Sequence, residues 1–211
     1  MVVELAVSMG LLVATGLFAL SARHSSNVNM GFETSSLFTA QLPIPDIYRG
    51  TSRANFFDAV EQHVQAEQGV ASVGLISDMP GTHATVWRVP LEGVAYPSVD
   101  EMPAARFAAA SPQFFPVLRV QPLHGRLFGT QDDASSELVA LVNARFVQRF
   151  LSKDNPIGKR IRVGGAPDAP WRTIVGVVPD LWMGAFDAAP DKNPAGVYVP
   201  LTQSTVHAVS I

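Results

Sequence analysis

Apolar and polar positions divide the chain into stretches of different rhythm. The first is unbroken: Leu5 to Ala22 (LAVSMGLLVATGLFALSA) carries no charge, with Glu4 before it and Arg23 and His24 after it. At about 1.5 Å rise per residue it nearly crosses a hydrocarbon core of about 30 Å. Ala6, Gly10 and Ala14 recur every fourth residue, a small-residue face suited to packing on another membrane helix. Three readings stay open: a transmembrane helix, a cleaved signal peptide and a buried helix. Ala19 and Ser21 could mark a cleavage site, but only Val2, Val3 and Glu4 precede the run, so a basic leader region is missing. The expectation is one transmembrane helix over residues 1–23, with an extracytoplasmic domain over 24–211. Arg23 then lies on the outer side, against the usual bias of basic residues.

After Ser25 the rhythm turns globular. Leu37 to Ile44 (LFTAQLPI) alternates as a strand does, and Pro45 closes it. Thr51 or Ser52 can cap a helix whose apolar face is Phe56, Phe57, Val60 and Val64, with Gly69 as its stop. Val70 to Ile76 then reads as a short strand. Residues 78–104 are rich in proline and glycine, with β-like runs at Thr85–Val89 and Leu91–Val94. Arg106 to Ala110 follows as a strand, and Ser111-Pro112 as cap and first residue of a short helix that Pro116 ends.

The second half repeats the theme. Leu138 to Val142 (LVALV) is continuously apolar, as suits a strand covered on both faces. Asn143 is a good cap for a helix Ala144–Leu151, with Phe146, Val147, Phe150 and Leu151 inward and Arg145 and Arg149 outward. Strands are predicted at Ile161–Val163, Thr173–Val178 and Val197–Leu201. The plan is α+β: two β-α-β-like units form one lobe, residues 78–135 form an inserted, mostly β lobe, and a transmembrane helix precedes both.

Composition narrows the function classes. Fifteen Lys and Arg against eighteen Asp and Glu give a net charge of −3, which argues against a general nucleic-acid binder. There is no cysteine, which removes disulfides, thiolate zinc sites and thiol nucleophiles. His24, His63, His83, His124 and His207 are scattered, with no metal-ligand spacing among them.

The densest charge is in KDNPIGKRIRVGG, residues 153–165, where Gly158-Lys159 suggests a phosphate cradle. A P-loop needs glycine five positions before Gly158 and Ser or Thr after the lysine; the chain has Lys153 and Arg160 there. The remaining reading is a turn feeding a solvated strand edge that Lys159, Arg160 and Arg162 keep soluble. Ser77-Asp78 and Asp132-Asp133 lack the G-x-S-x-G turn of a serine hydrolase, and a loop accounts for them better. Trp87, Trp171 and Trp182 stand alone and read as packing residues, with Trp182 partly exposed. No catalytic, cofactor or metal residue is expected.

Several blocks in order resemble one family. NMGFETSSLFTAQLPIP (29–45), FFDAVEQHVQAEQGVASVGLISDMP (56–80), SPQFFPVLRVQPLHGRLF (111–128), LVALVNARFVQRFLSKDNPIGKRIRV (138–163), WRTIVGVVPDL (171–181) and GVYVPLTQ (196–203) are similar to the MacB-like periplasmic core domain of FtsX-like ABC transporter permeases, particularly the duplicated kind. Pro116 breaks a helix the family leaves whole, and Pro179 replaces its usual glycine before Asp180. The resemblance implies a non-catalytic core, on the periplasmic face of the bacterial inner membrane, that passes ATP-driven helix motion to export or extraction of a substrate. It also implies partners: an ABC ATPase subunit, the remaining permease helices, a periplasmic adaptor protein and a second copy in a dimer. The chain shows no further transmembrane helix and no ATPase, so it is expected to be part of a larger system. A membrane-anchored or secreted binding or adaptor module is the alternative. A hydrolase is third.

Overall fold

Val139–Asn143 (β5) is buried along its whole length, because strands lie on both sides of it and covering layers on both faces. In the computed structural model, residues 9, 12, 15–16, 32, 36–43, 51–80, 82, 84–151, 155–183, 195–204 and 208–211 are described, 51–54 by backbone only. β1 is Gln41–Pro43, β2 Val86–Arg88, β3 Ala104–Ala110, β4 His124–Gly125, β6 Arg160–Arg162, β7 Trp171–Val178, β8 Gly196–Pro200 and β9 Ala208–Ser210. The helices are α1 (Thr51–Gln65), α2 (Phe114–Val117) and α3 (Ala144–Phe150). The main sheet runs β2-β3-β8-β5-β7-β4, with β6 also on β7. β3 and β8 are parallel, as are β5 and β7, while β5 and β8 are antiparallel. The mixed α+β class read from the sequence therefore holds.

The sheet curls. On leaving β2 the chain turns onto the outer edge of β6, where Leu91 pairs with Ile161. The Arg162 N–H donates to Pro90 O (3.1 Å), Glu92 N–H to Arg160 O (3.0 Å) and Gly164 N–H to Arg88 O (3.0 Å). One stretch of chain thus flanks β3 on one side and β6 on the other. Sequence reading made β6 a solvated edge; its backbone edge is instead covered by residues 88–92, a pairing no local pattern announces.

Alternation along the strands fills two cores. Ala109, Ala140, Val142, Val197 and Val199 face one, with Phe57 of α1 and Phe146 of α3. Ala108, Leu141 and Tyr198 face the other, under Phe114 and Phe115 of α2 and the later Phe128, Leu181 and Met183. The pairing of β5 with β7 slips by one residue between Ala140 and Leu141, a β-bulge that leaves Val175 unmatched. A side chain on Gly176 would run into the Arg126 carbonyl, so β4 can lie this close only over glycine.

Several predicted elements shrink or move. Only Gln41–Pro43 of the 37–44 strand is regular. Residues 70–76 do not form a strand: Ile76 alone bridges, to Ala110 and to Ser210. The reason is that its neighbours' hydrogen bonds are shared out: Leu75 N–H goes to the Ser111 hydroxyl (3.0 Å) and Ser77 N–H to Ala109 O (2.8 Å). Ser111 therefore holds this segment and does not cap α2, whose cap position is Gln113. Leu91–Val94 is likewise no strand. The predicted membrane helix falls mostly outside the described residues; Met9, Leu12, Thr15 and Gly16 are helical and exposed. Among the described residues no helix is long and apolar enough to cross a membrane.

Candidate functional site

The basic stretch is the first place to test for a ligand, and its arginines have protein partners. Arg160 donates to Glu92 through Nε (2.7 Å) and Nη2, a two-point pair across the sheet closure. That hydrogen bonding holds the Glu92 carboxyl below the usual carboxylate range. The Arg162 guanidinium lies 4.2 Å from the centre of the Trp171 ring. Gly158, at φ 86°, makes the turn before β6. The stretch therefore builds the closure, and Lys153 lies outside the described residues.

Polar side chains converge instead on Gln203, in the 3-10 turn Leu201–Gln203 that follows β8. Its Oε1 accepts from Val139 N–H (3.1 Å) and from Arg172 Nη1 (3.1 Å). Its Nε2 donates to Asp133 O (2.9 Å), Ser136 Oγ (3.1 Å) and Glu137 O (3.1 Å). Arg172 also donates to Gln203 O (2.8 Å), and burial lowers its pKa to about 10. Nearby, Asp132 is held by Arg126 in a two-point pair (2.6 and 2.8 Å) and by Gly129 N–H (2.9 Å). Burial pushes the Asp132 carboxyl up, but these bonds and the Arg126 charge outweigh it and leave it below its ordinary value. The second buried amide, Asn143, accepts at Oδ1 from Phe146 N–H (2.9 Å) as the cap of α3, and from Gly196 N–H (2.8 Å) on β8. Sequence reading found the cap and missed the second bond and the whole Gln203 knot. The only local signal for the knot was a glutamine just past a strand's end.

Elsewhere the polar groups stay local. Ser77 Oγ donates to Asp78 (2.7 Å) and accepts from Ala109 N–H (2.9 Å). Burial raises the Asp78 carboxyl, and burial likewise raises Glu61 on α1. No histidine is bonded to this serine among the described residues; His63 bonds its own helix at Ala59 O. Asp133 accepts from Ser135 and Ser136 in a turn. Among the described residues no group of three His, Asp or Glu could hold a metal ion. Trp87 is exposed and meets Phe107 edge-on (5.9 Å), and Trp182 is half-buried beside buried Leu181 and Met183.

Among the described residues the arrangement offers bracing and grooves and no convergent reactive groups, and comparison with known proteins agrees with the order of blocks along the chain. Residues 4–210 match the model of the MacB-like periplasmic core domain. The chain belongs to this family. It is accordingly a periplasmic domain of the ABC transporter permease kind. The periplasmic region of MacB from Actinobacillus actinomycetemcomitans is similar at 16% identity and a TM-score of 0.48, over 72% of this chain and 62% of that one. The extracellular domain of the ABC-type transporter YknZ from Gram-positive bacteria is similar at 14% identity and a TM-score of 0.50, over 82% of each chain. At such identity the YknZ likeness speaks for the fold alone. The chain spans less than two thirds of the MacB region's length. A search of curated proteins returns no match.

Proposed function

We propose that this MacB-like core domain is carried on the outer face of a membrane between permease helices, and that it passes ATP-driven helix motion to export or extraction of a substrate without catalysing a reaction. The observation that carries this reading is the family match over residues 4–210. The fold supports it. β1, which follows the apolar N-terminal segment, pairs antiparallel with β9, Gln41 opposite Ser210. β1 and β9 thus lie side by side, an arrangement that suits a domain held between two successive membrane helices. The residues 1–23 act as its anchor, an ABC ATPase and further permease helices complete the system as a dimer, and a periplasmic adaptor is a further partner. Residues 78–135 supply the inserted lobe.

A topology experiment tests this. Alkaline phosphatase fused after Gln203 should be active in cells, and the chain should stay with membranes through an alkaline carbonate wash. Inactive phosphatase, or release into the soluble fraction, would overturn the membrane-anchored outer location. A binding or adaptor module is the second reading, favoured by an apolar groove beside β1.

A further inference from the structure

That groove has a volume of about 490 Å³, inside the range of about 300–1,000 Å³ that small-molecule sites occupy. Its floor is apolar: Val73, Ile76, Phe114 and Leu118 are each at most 5% exposed. Arg119 is the single charged side chain among its lining residues. It is also the one non-glycine residue at positive φ among those described, at 56°. That conformation ends α2 in a Schellman stop, with the Val120 N–H donating to Phe115 O (2.9 Å), and it sets Arg119 at the edge of the groove. The backbone is held there by the Arg119 N–H donating to Pro116 O (2.9 Å). The guanidinium makes no ion pair with any described residue.

We propose that the groove binds a long-chain fatty acid, its alkyl chain on the Val73–Phe114 floor and its carboxylate on Arg119. The chain gains by leaving water in proportion to the apolar area it buries. The head group gains because a planar guanidinium meets a carboxylate at two points. A cationic amphiphile of equal chain length would face Arg119 as a like charge. A short carboxylate would leave the floor unfilled. Charge complementarity at the rim and an apolar floor are both needed.

The test is photolabelling of the full chain, reconstituted in nanodiscs, with a long-chain fatty acid bearing a diazirine near its tail. Labelled peptides are mapped by mass spectrometry. Beyond the apolar N-terminal segment, label should fall in residues 70–79 and 114–119. Excess laurate should compete and excess dodecyltrimethylammonium should not. Arg119→Gly should lower this labelling about tenfold, the loss expected for one charge-assisted pair. It should melt no lower than the parent, since glycine accepts φ of 56° freely. Ala71→Trp, at an exposed lining position, should block the groove and abolish the labelling. Label elsewhere in the domain, indifference to both substitutions, or equal competition by the cation would overturn the proposal.

Discussion

Two regions of the sheet use polar residues in opposite ways. At the closure between residues 88–92 and β6, Arg160 and Glu92 meet with nearly half of each side chain in water (48% and 41%). At the end of β5 and in the turn after β8, Asn143 and Gln203 are buried, at 0% and 9% exposed, and together accept four hydrogen bonds from other parts of the chain. An exposed pair trades water for a partner at little gain. A buried amide has no water to fall back on, so losing it strands its partners. The cations that dominate the sequence by eye thus add little to the fold, and two buried amides, one of them legible in the sequence only as a helix cap, hold its strands in order.

Removing Gln203 should do the most damage. Gln203→Leu leaves the buried Val139 N–H and part of the half-buried Arg172 guanidinium without acceptors, at about 1–3 kcal/mol for each stranded group. Urea unfolding should register a loss of about 3–4 kcal/mol in total; a loss below 1 kcal/mol would place the knot in solvent. Asn143→Ala comes next. It removes the α3 cap, worth about 1 kcal/mol, and strands the buried Gly196 N–H, so about 2–3 kcal/mol is expected from the same assay.

A smaller effect separates two carboxylates by pH. Asp132 has its folded pKa lowered, so its contribution is present above the unfolded value of about 3.9 and disappears as pH falls through the folded one. Asp78 is raised, so its contribution has the other sign: present at low pH and lost as pH rises through the folded value. In melting curves between pH 3 and 7, Asp132→Asn should flatten the acid-side fall in stability. Asp78→Asn should instead be relatively more stable toward neutral pH. The smallest effect belongs to the basic stretch. Lys159→Gln with Arg160→Gln should leave the melting midpoint within the scatter of repeat measurements, at low and high salt alike. A marked drop would mean that the exposed pair holds the closure.

How much of this was legible follows the same division. β5, α3, β7 and β8 were readable because continuous apolar runs and the Asn143 cap are local signals. α1 was readable from Phe56, Phe57, Val60 and Val64. The fragment at Ile76 was misread, because Ser111 and Ser210, distant in sequence, take its hydrogen bonds. β4 has only His124 and Gly125, both exposed, and leaves no apolar trace. The closure of residues 88–92 on β6 depends on how far the sheet curls, which no window of sequence encodes. The groove was invisible for the same reason: its walls come from residues near 37, 73 and 117.

Native-state hydrogen exchange compares the two regions in one measurement. The amides of Val139, Phe146 and Gly196, which the buried side chains accept, should exchange only through global unfolding. Those of Glu92, Arg162 and Gly164 at the closure should exchange faster, through local opening. If the closure amides proved as slow as Gly196, or the amides held by Asn143 and Gln203 opened locally, the buried amides would not be what orders the sheet.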